Sequence, residues 1–184
     1  IQAIVGRSDL LRKISFPKWI IVVSSTITAL INFLINLCVI IVFALLNGVT
    51  PSFTWLLAPL VILELYLLSL GIAFFLGSIN VKYRDISSIW EVLMQALFYA
   101  VPIIYPITMV SASSVVAAKV LLLNPIAQVI QDARYLLITD QSITVWNFID
   151  NIFLRFLPVL ITLFILTIGS IYFRKHSKYF AEEA

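Results

Sequence analysis

The stretch Phe98-Tyr99-Ala100-Val101-Pro102-Ile103-Ile104-Tyr105-Pro106 decides how this chain is read. Each proline removes a backbone donor and clashes with the preceding turn, so a helix entering this stretch must break or kink. Its surroundings are those of a lipid-embedded protein, and lipid does not tolerate exposed backbone polar groups. The break must therefore be buried in protein or line a polar cavity, as in a protein that moves a solute or shapes a path for one.

Of 184 residues, 62% are hydrophobic and 11% charged, and the mean hydropathy is +1.09. That is far from the balance of a soluble domain and marks an integral membrane protein. Residues 19–63 carry no Asp, Glu, Lys or Arg, which is enough for one span of about 20 residues and the start of another. Cys38 is the one cysteine and lies in an apolar run, which excludes an internal disulfide and a cysteine-based metal cluster and predicts a packing role. The chain opens on Ile1 rather than Met and shows no secretory-signal pattern, so residues are expected to precede it.

The predicted fold is an all-α integral membrane protein in one domain over residues 1–184. Residues 1–18 form an amphipathic helix, with Val5, Leu10, Leu11, Ile14 and Phe16 able to share a side and Pro17 ending it. Four spans are expected at 19–46, 55–79, 86–101 and 156–173. The third holds 16 residues, a rise of about 24 Å against a hydrocarbon core of about 30 Å, so its proline break falls within the far leaflet. Residues 102–140 make an external region of broken or re-entrant helices: a polar turn at Ser111 to Ser114, then a helix capped by Asn124 with Pro125 at its first position. In that helix Ile126, Val129, Ile130, Ala133 and Leu137 oppose Gln128, Gln131, Asp132 and Tyr135, a pattern suited to a re-entrant or interfacial helix.

Arg7, Arg12, Lys13 and Lys18, the Lys82/Arg84 loop, and Arg174, Lys175 and Lys178 all fall on one side of such a bundle, leaving Lys119, Arg134 and Arg155 opposite. The positive-inside rule makes the richer side cytoplasmic, including the tail at 174–184.

Polar residues inside the spans are the candidates for function. Ser25, Thr28, Asn32 and Asn36 recur on one helical face, which should turn inward, either to bond neighbouring helices or to contact a solute. Glu64 is an intramembrane acid, in either a structural or a functional role. Gly71 and Ser78 follow it at seven-residue steps, a small-residue face that another helix could approach closely. Glu91, Gln95 and Phe98 share a face of the third helix, and with Tyr99 and Tyr105 they suit either sugar rings or an interfacial aromatic belt. His176 reads as solvated or facing headgroups. No Gly-rich phosphate loop, nucleophile triad or metal-ligand cluster is present, so no catalytic residue, bound metal or ATP site is expected on this chain. Nor is a nucleic-acid partner.

Four motifs carry a resemblance in order along the chain: Ser8-Asp9-Leu10-Leu11-Arg12-Lys13-Ile14-Ser15-Phe16-Pro17, Lys82-Tyr83-Arg84-Asp85-Ile86, residues 98–106, and Leu123-Asn124-Pro125 with Arg134 downstream. Together they resemble permeases of the type-2 ABC exporters, particularly the branch for polysaccharide and polyol phosphate (O-antigen, teichoic acid). Asp9 stands where that family commonly has Asn.

The resemblance implies a bacterial inner-membrane permease of six spans that forms a homodimer, docks separate ATPase subunits carrying ATP and Mg, and exports a lipid-linked glycan. This sequence would be its C-terminal two-thirds, without the first two spans. Residues 1–18 would be the coupling helix, with Asp9, Leu10, Leu11, Arg12, Lys13, Phe16 and Pro17 at the ATPase and Arg84 and Asp85 at a second cytoplasmic contact. Lipid headgroups offer Arg12 and Lys13 another partner. Conduit candidates are Asn32, Asn36, Glu64, Glu91, Gln95, Phe98, Tyr99 and Tyr105, and the external gate break is Pro102, Pro106, Asn124 and Pro125. The alternatives are an ABC exporter permease for drugs or lipids, and a membrane assembly subunit with no conduit.

Overall fold

The computed structural model describes residues 17–83 and 85–177, and these residues are helical with no strand among them. In order, they form α1 (Trp19–Leu46), a 3-10 turn (Phe53–Leu57), α2 (Ala58–Lys82), α3 (Ile86–Ala100), α4 (Ile107–Ser113), α5 (Val115–Leu122), α6 (Pro125–Leu137), α7 (Val145–Phe148), α8 (Ile152–Arg155) and α9 (Leu157–His176). Asp9, Leu10, Leu11, Arg12, Lys13, Phe16 and Arg84, expected at the ATPase contacts, lie outside the described residues, whereas Pro17 and Asp85 are both exposed.

Among the described residues, three helices are long and apolar enough to cross a membrane: α1, the 3-10 turn with α2, and α9. α3, expected as a further span, holds 15 residues, a rise of about 22 Å that falls short of the hydrocarbon core without the broken segment after it.

The frame is the pair α2 and α9, which pack along one another. Gly71 and Gly169 make this possible, because a Cβ at Gly169 would stand 2.2 Å from the Gly71 carbonyl oxygen and one at Gly71 would stand 2.6 Å from Leu166 Cα. Lipid tails are as apolar as leucine, so close approach of small residues, not hydrophobic exclusion, holds such helices together. The small-residue face of Gly71 and Ser78 is the one α9 occupies at Gly71, and Ser78 is buried. Phe74 against Phe173, with ring centroids 5.0 Å apart, and Phe75 against Tyr172, at 5.2 Å, continue the seam.

At one end, Ile21 and Val22 from α1, Val81 from α2 and Phe173 from α9 form a core. Lys18 there donates to the Ser177 carbonyl. The start of α1 and the ends of α2 and α9 thus meet on one side, bringing Lys18, Lys82, Arg174 and Lys175 to the same end of the molecule. A second core, Ile107, Ala118, Leu122, Val145 and Ile149, unites the short helices.

Several expectations are corrected. Ser111 to Ser114 is not a turn: Ser111 and Ser113 sit in α4, and Ser114 caps α5 by accepting from Ala117 N at 3.3 Å. A single residue therefore separates two helices, because its side chain satisfies an orphan amide of the second. The polar face of α1 does not reach another helix among the described residues. Asn36 donates back to Asn32 O at 2.8 Å, Ser25 to Val22 O and Thr28 to Ser24 O, and both asparagines are exposed. Short polar side chains can satisfy themselves on their own helix carbonyls, so the face need not turn inward. Cys38 is exposed rather than packed. His176 is half-buried, stacked on Tyr172 at 4.0 Å.

The helix start at Asn124 is as the sequence implies. Asn124 Oδ1 accepts from Ile126 N at 2.9 Å, Pro125 takes the first position, and the chain bends by 94° between α5 and α6.

Candidate functional site

α6 buries its polar side. Gln128 and Gln131 are each 2% exposed and Asp132 6%, together with Ala127, Val129 and Leu136, while Ile126, Ile130, Ala133 and Leu137 are only half-buried. In water this arrangement would be unfavourable. In a bilayer the apolar side costs nothing outward, and the polar side must find partners inward.

Those partners come from α2 and α7. Gln128 Nε2 donates to Asp132 Oδ2 at 2.6 Å and to Glu64 Oε2 at 3.3 Å, and Trp146 Nε1 donates to the same Asp132 oxygen at 3.2 Å. One amide thus bridges two carboxylates, which fixes its orientation, since a flipped amide would set oxygen against oxygen. Three acceptors are left without donors: Glu64 Oε1, Gln128 Oε1 and Asp132 Oδ1.

All three residues line a cavity of about 420 Å³ whose walls include Leu57, Leu60, Val61, Tyr135 and Trp146. A second cavity of about 620 Å³ lies next to it, shares Tyr135 and Leu136, and is lined by Asn47, Thr50, Trp55 and Asp140 among others. Thr54 donates to Leu136 O at 3.0 Å, tying the 3-10 turn to the end of α6 between the two.

α6 also resolves the double-proline break. In a continuous helix the Pro102 carbonyl would accept from the amide at 106, which is a proline and has no proton. Arg134 takes its place, with Nη1 donating to Pro102 O at 2.9 Å and Nη2 to Ile103 O at 2.6 Å. Tyr105 donates its hydroxyl to Ala100 O at 3.1 Å, occupying the polar tip of one conduit candidate within the break. Val101 and Pro102 are buried, whereas Ile103, Ile104 and Pro106 are exposed, so protein covers only the first part of the break.

The other sequence candidates stand apart from this cluster. Glu91, Gln95, Phe98 and Tyr99 lie on α3, which buries no residue; Phe98 and Tyr99 stack edge to face with centroids 5.5 Å apart. Asn32 and Asn36 lie on the exposed side of α1. Glu64 alone of the conduit candidates joins the buried cluster. Gln128, Asp132, Trp146 and Arg134 are not among the residues singled out for function. The signal for the first two was present: amides and acids three and four residues apart in an otherwise apolar helix are costly in lipid unless satisfied. Nothing local marks Trp146. No group of three or more His, Cys, Asp or Glu among the described residues could hold a metal ion.

Three long apolar helices among the described residues, a backbone break held by Arg134 and a buried polar cluster define a multi-pass α-helical membrane protein with an internal polar site. No established family profile matches the chain. It is similar to the O-antigen export system permease protein RfbA of Myxococcus xanthus, 33% identical over 124 residues, covering 67% of this chain and 47% of that one. It is also similar to two proteins of that name from Klebsiella pneumoniae. One is 27% identical over 183 residues, covering 97% of this chain and 65% of the relative, and the other 26% identical over 134 residues, covering 71% and 49%. The chain is thus a multi-pass membrane protein that is similar, over two thirds or more of its length, to permeases named for O-antigen export. It spans about half to two thirds of the length of these relatives. The relatives are named as permeases, not enzymes.

Proposed function

We propose that the chain forms part of the transmembrane subunit of an ATP-driven ABC exporter that moves lipid-linked polysaccharide or polyol phosphate polymer across the bacterial inner membrane. The observation that carries this reading is the alignment of 97% of the chain with a relative named as an O-antigen export permease. In this reading a separate ATPase subunit binds ATP and Mg, and a second copy of the permease completes the conduit. The basic ends of α1, α2 and α9 gather on the cytoplasmic side, where an amphipathic segment at residues 1–18 would receive the push from the ATPase and pass it through Pro17 into α1.

Purification of the full-length protein with its ATPase, followed by addition of polyprenyl-linked glycan, tests this. The expected result is glycan-stimulated ATP hydrolysis; absence of an ATPase partner overturns the reading. Charge reversal at Arg12 and Lys13 is expected to uncouple ATP hydrolysis from export while membrane insertion is retained. Unchanged export would remove both from the coupling contact. Replacing the exposed Tyr99 with Leu is expected to reduce glycan passage without lowering thermal stability, and an equal loss of both would assign Tyr99 to packing.

A further inference from the structure

The cavity between α2, α6 and α7 has a defined chemical demand. Its lining residues include Glu64 and Asp132 but no Lys, Arg or His. Taking a carboxylate out of water costs several kcal/mol unless a cation or a sufficient set of donors compensates it. Here one amide and one indole N–H serve four carboxylate oxygens. Gln128, 2% exposed and lining the cavity, contributes a third acceptor because its orientation is locked by its two donated bonds.

We propose that this cavity binds a primary ammonium group, with Glu64, Gln128 and Asp132 as its acceptors and Trp146 and Tyr135 against the carbon frame that carries it. An ammonium has three N–H donors and no acceptor, which matches the three unpaired oxygens of Glu64, Gln128 and Asp132. It also supplies the positive charge the lining lacks, and an aromatic wall favours it further. Hard divalent cations fit poorly, because they take six or more oxygen ligands. Glu64 is the seventh residue of α2, about 9 Å from its start, and that start lies away from the basic end of the bundle. This depth is within reach of the outer leaflet, so the ammonium could be that of an ethanolamine lipid headgroup or of an amino sugar. The site stands on the cavity itself and does not require the glycan reading.

The test uses the full-length protein with its ATPase in nanodiscs. Retention of dioleoylphosphatidylethanolamine is compared with that of dioleoylphosphatidylcholine, whose ammonium keeps the charge but has no N–H. Glucosamine is compared in parallel with N-acetylglucosamine. A preference of about tenfold for either primary amine over its blocked counterpart is expected, and the pair that shows it identifies the source. Glu64→Gln and Asp132→Asn should each erase the preference, while Asp150→Asn, an exposed acid that faces Lys119 and does not line the cavity, should keep it. Equal binding of primary and blocked amines overturns the proposal, as does binding of neither. The wild-type comparison decides the matter even if a variant does not fold.

Discussion

Gly169→Leu is expected to prevent the assembled fold, and Gly169→Ala to lower its stability by about 1–3 kcal/mol or more, the usual cost of overpacking. The reason is geometric. The first atom of any side chain at this position would meet the Gly71 carbonyl oxygen at 2.2 Å. Backbone cannot rotate away as a flexible side chain can, so α2 and α9 would have to separate along the seam that includes the Phe74–Phe173 contact. Loss of that seam would also release the core of Ile21, Val22, Val81 and Phe173 at the basic end. Thermal unfolding of the full-length protein in detergent checks this, with Gly48→Asn as the control. Gly48 has φ +86° with open space around it, and asparagine tolerates that conformation, so the control should unfold close to wild type. If Gly169→Ala unfolds like wild type, the seam is not the frame of the fold.

Arg134→Met is expected to open the double-proline break. The substitution keeps a long apolar stem but removes both donors, leaving the Pro102 and Ile103 carbonyls without partners. The buried Pro102 carbonyl left unsatisfied costs about 1–3 kcal/mol, and the exposed Ile103 carbonyl adds less. Arg134→Lys should recover only part of this, because an ammonium is a point donor and a guanidinium is a planar fork that reaches two acceptors at once. Limited proteolysis of the full-length protein should show new cleavage at residues 101–106 in Arg134→Met and intermediate cleavage in Arg134→Lys. Because α6 carries both Arg134 and the Gln128–Asp132 pair, the same variant should weaken the acid–amide cluster. Wild-type protection of 101–106 in Arg134→Met would assign the hold on the break to packing alone.

Much of this architecture is legible in the order of residues alone, and the reason is locality. A run without charge can only be comfortable in lipid, so α1 ends within its expected limits at Trp19 and Leu46. A proline denies a hydrogen bond to the residue four before it, so Pro102 and Pro106 announce the break. Asn followed by Pro satisfies orphan amides at a helix start, and α6 begins where those two residues stand. Glycine and serine at seven-residue steps mark a face that can be approached, although not which helix approaches it.

The tertiary structure alone decided what each polar group meets. Asp132 and Gln128 could have faced water on an interfacial helix, and their sequence pattern is the same either way; burial against Glu64, 64 positions away, turned them inward. Arg134 reads as an external charge, yet it closes a break 31 and 32 positions upstream. Asn32 and Asn36 read as inward-facing, yet both are exposed and the Asn36 amide bonds the Asn32 carbonyl of its own helix. Hydrogen-bond demand is written in the residue type, so the need of each of these groups for a partner follows from the order of residues. Which partner answers depends on how helices cross in space, and that crossing is set by contacts such as Gly71 with Gly169, nearly a hundred residues apart in the chain.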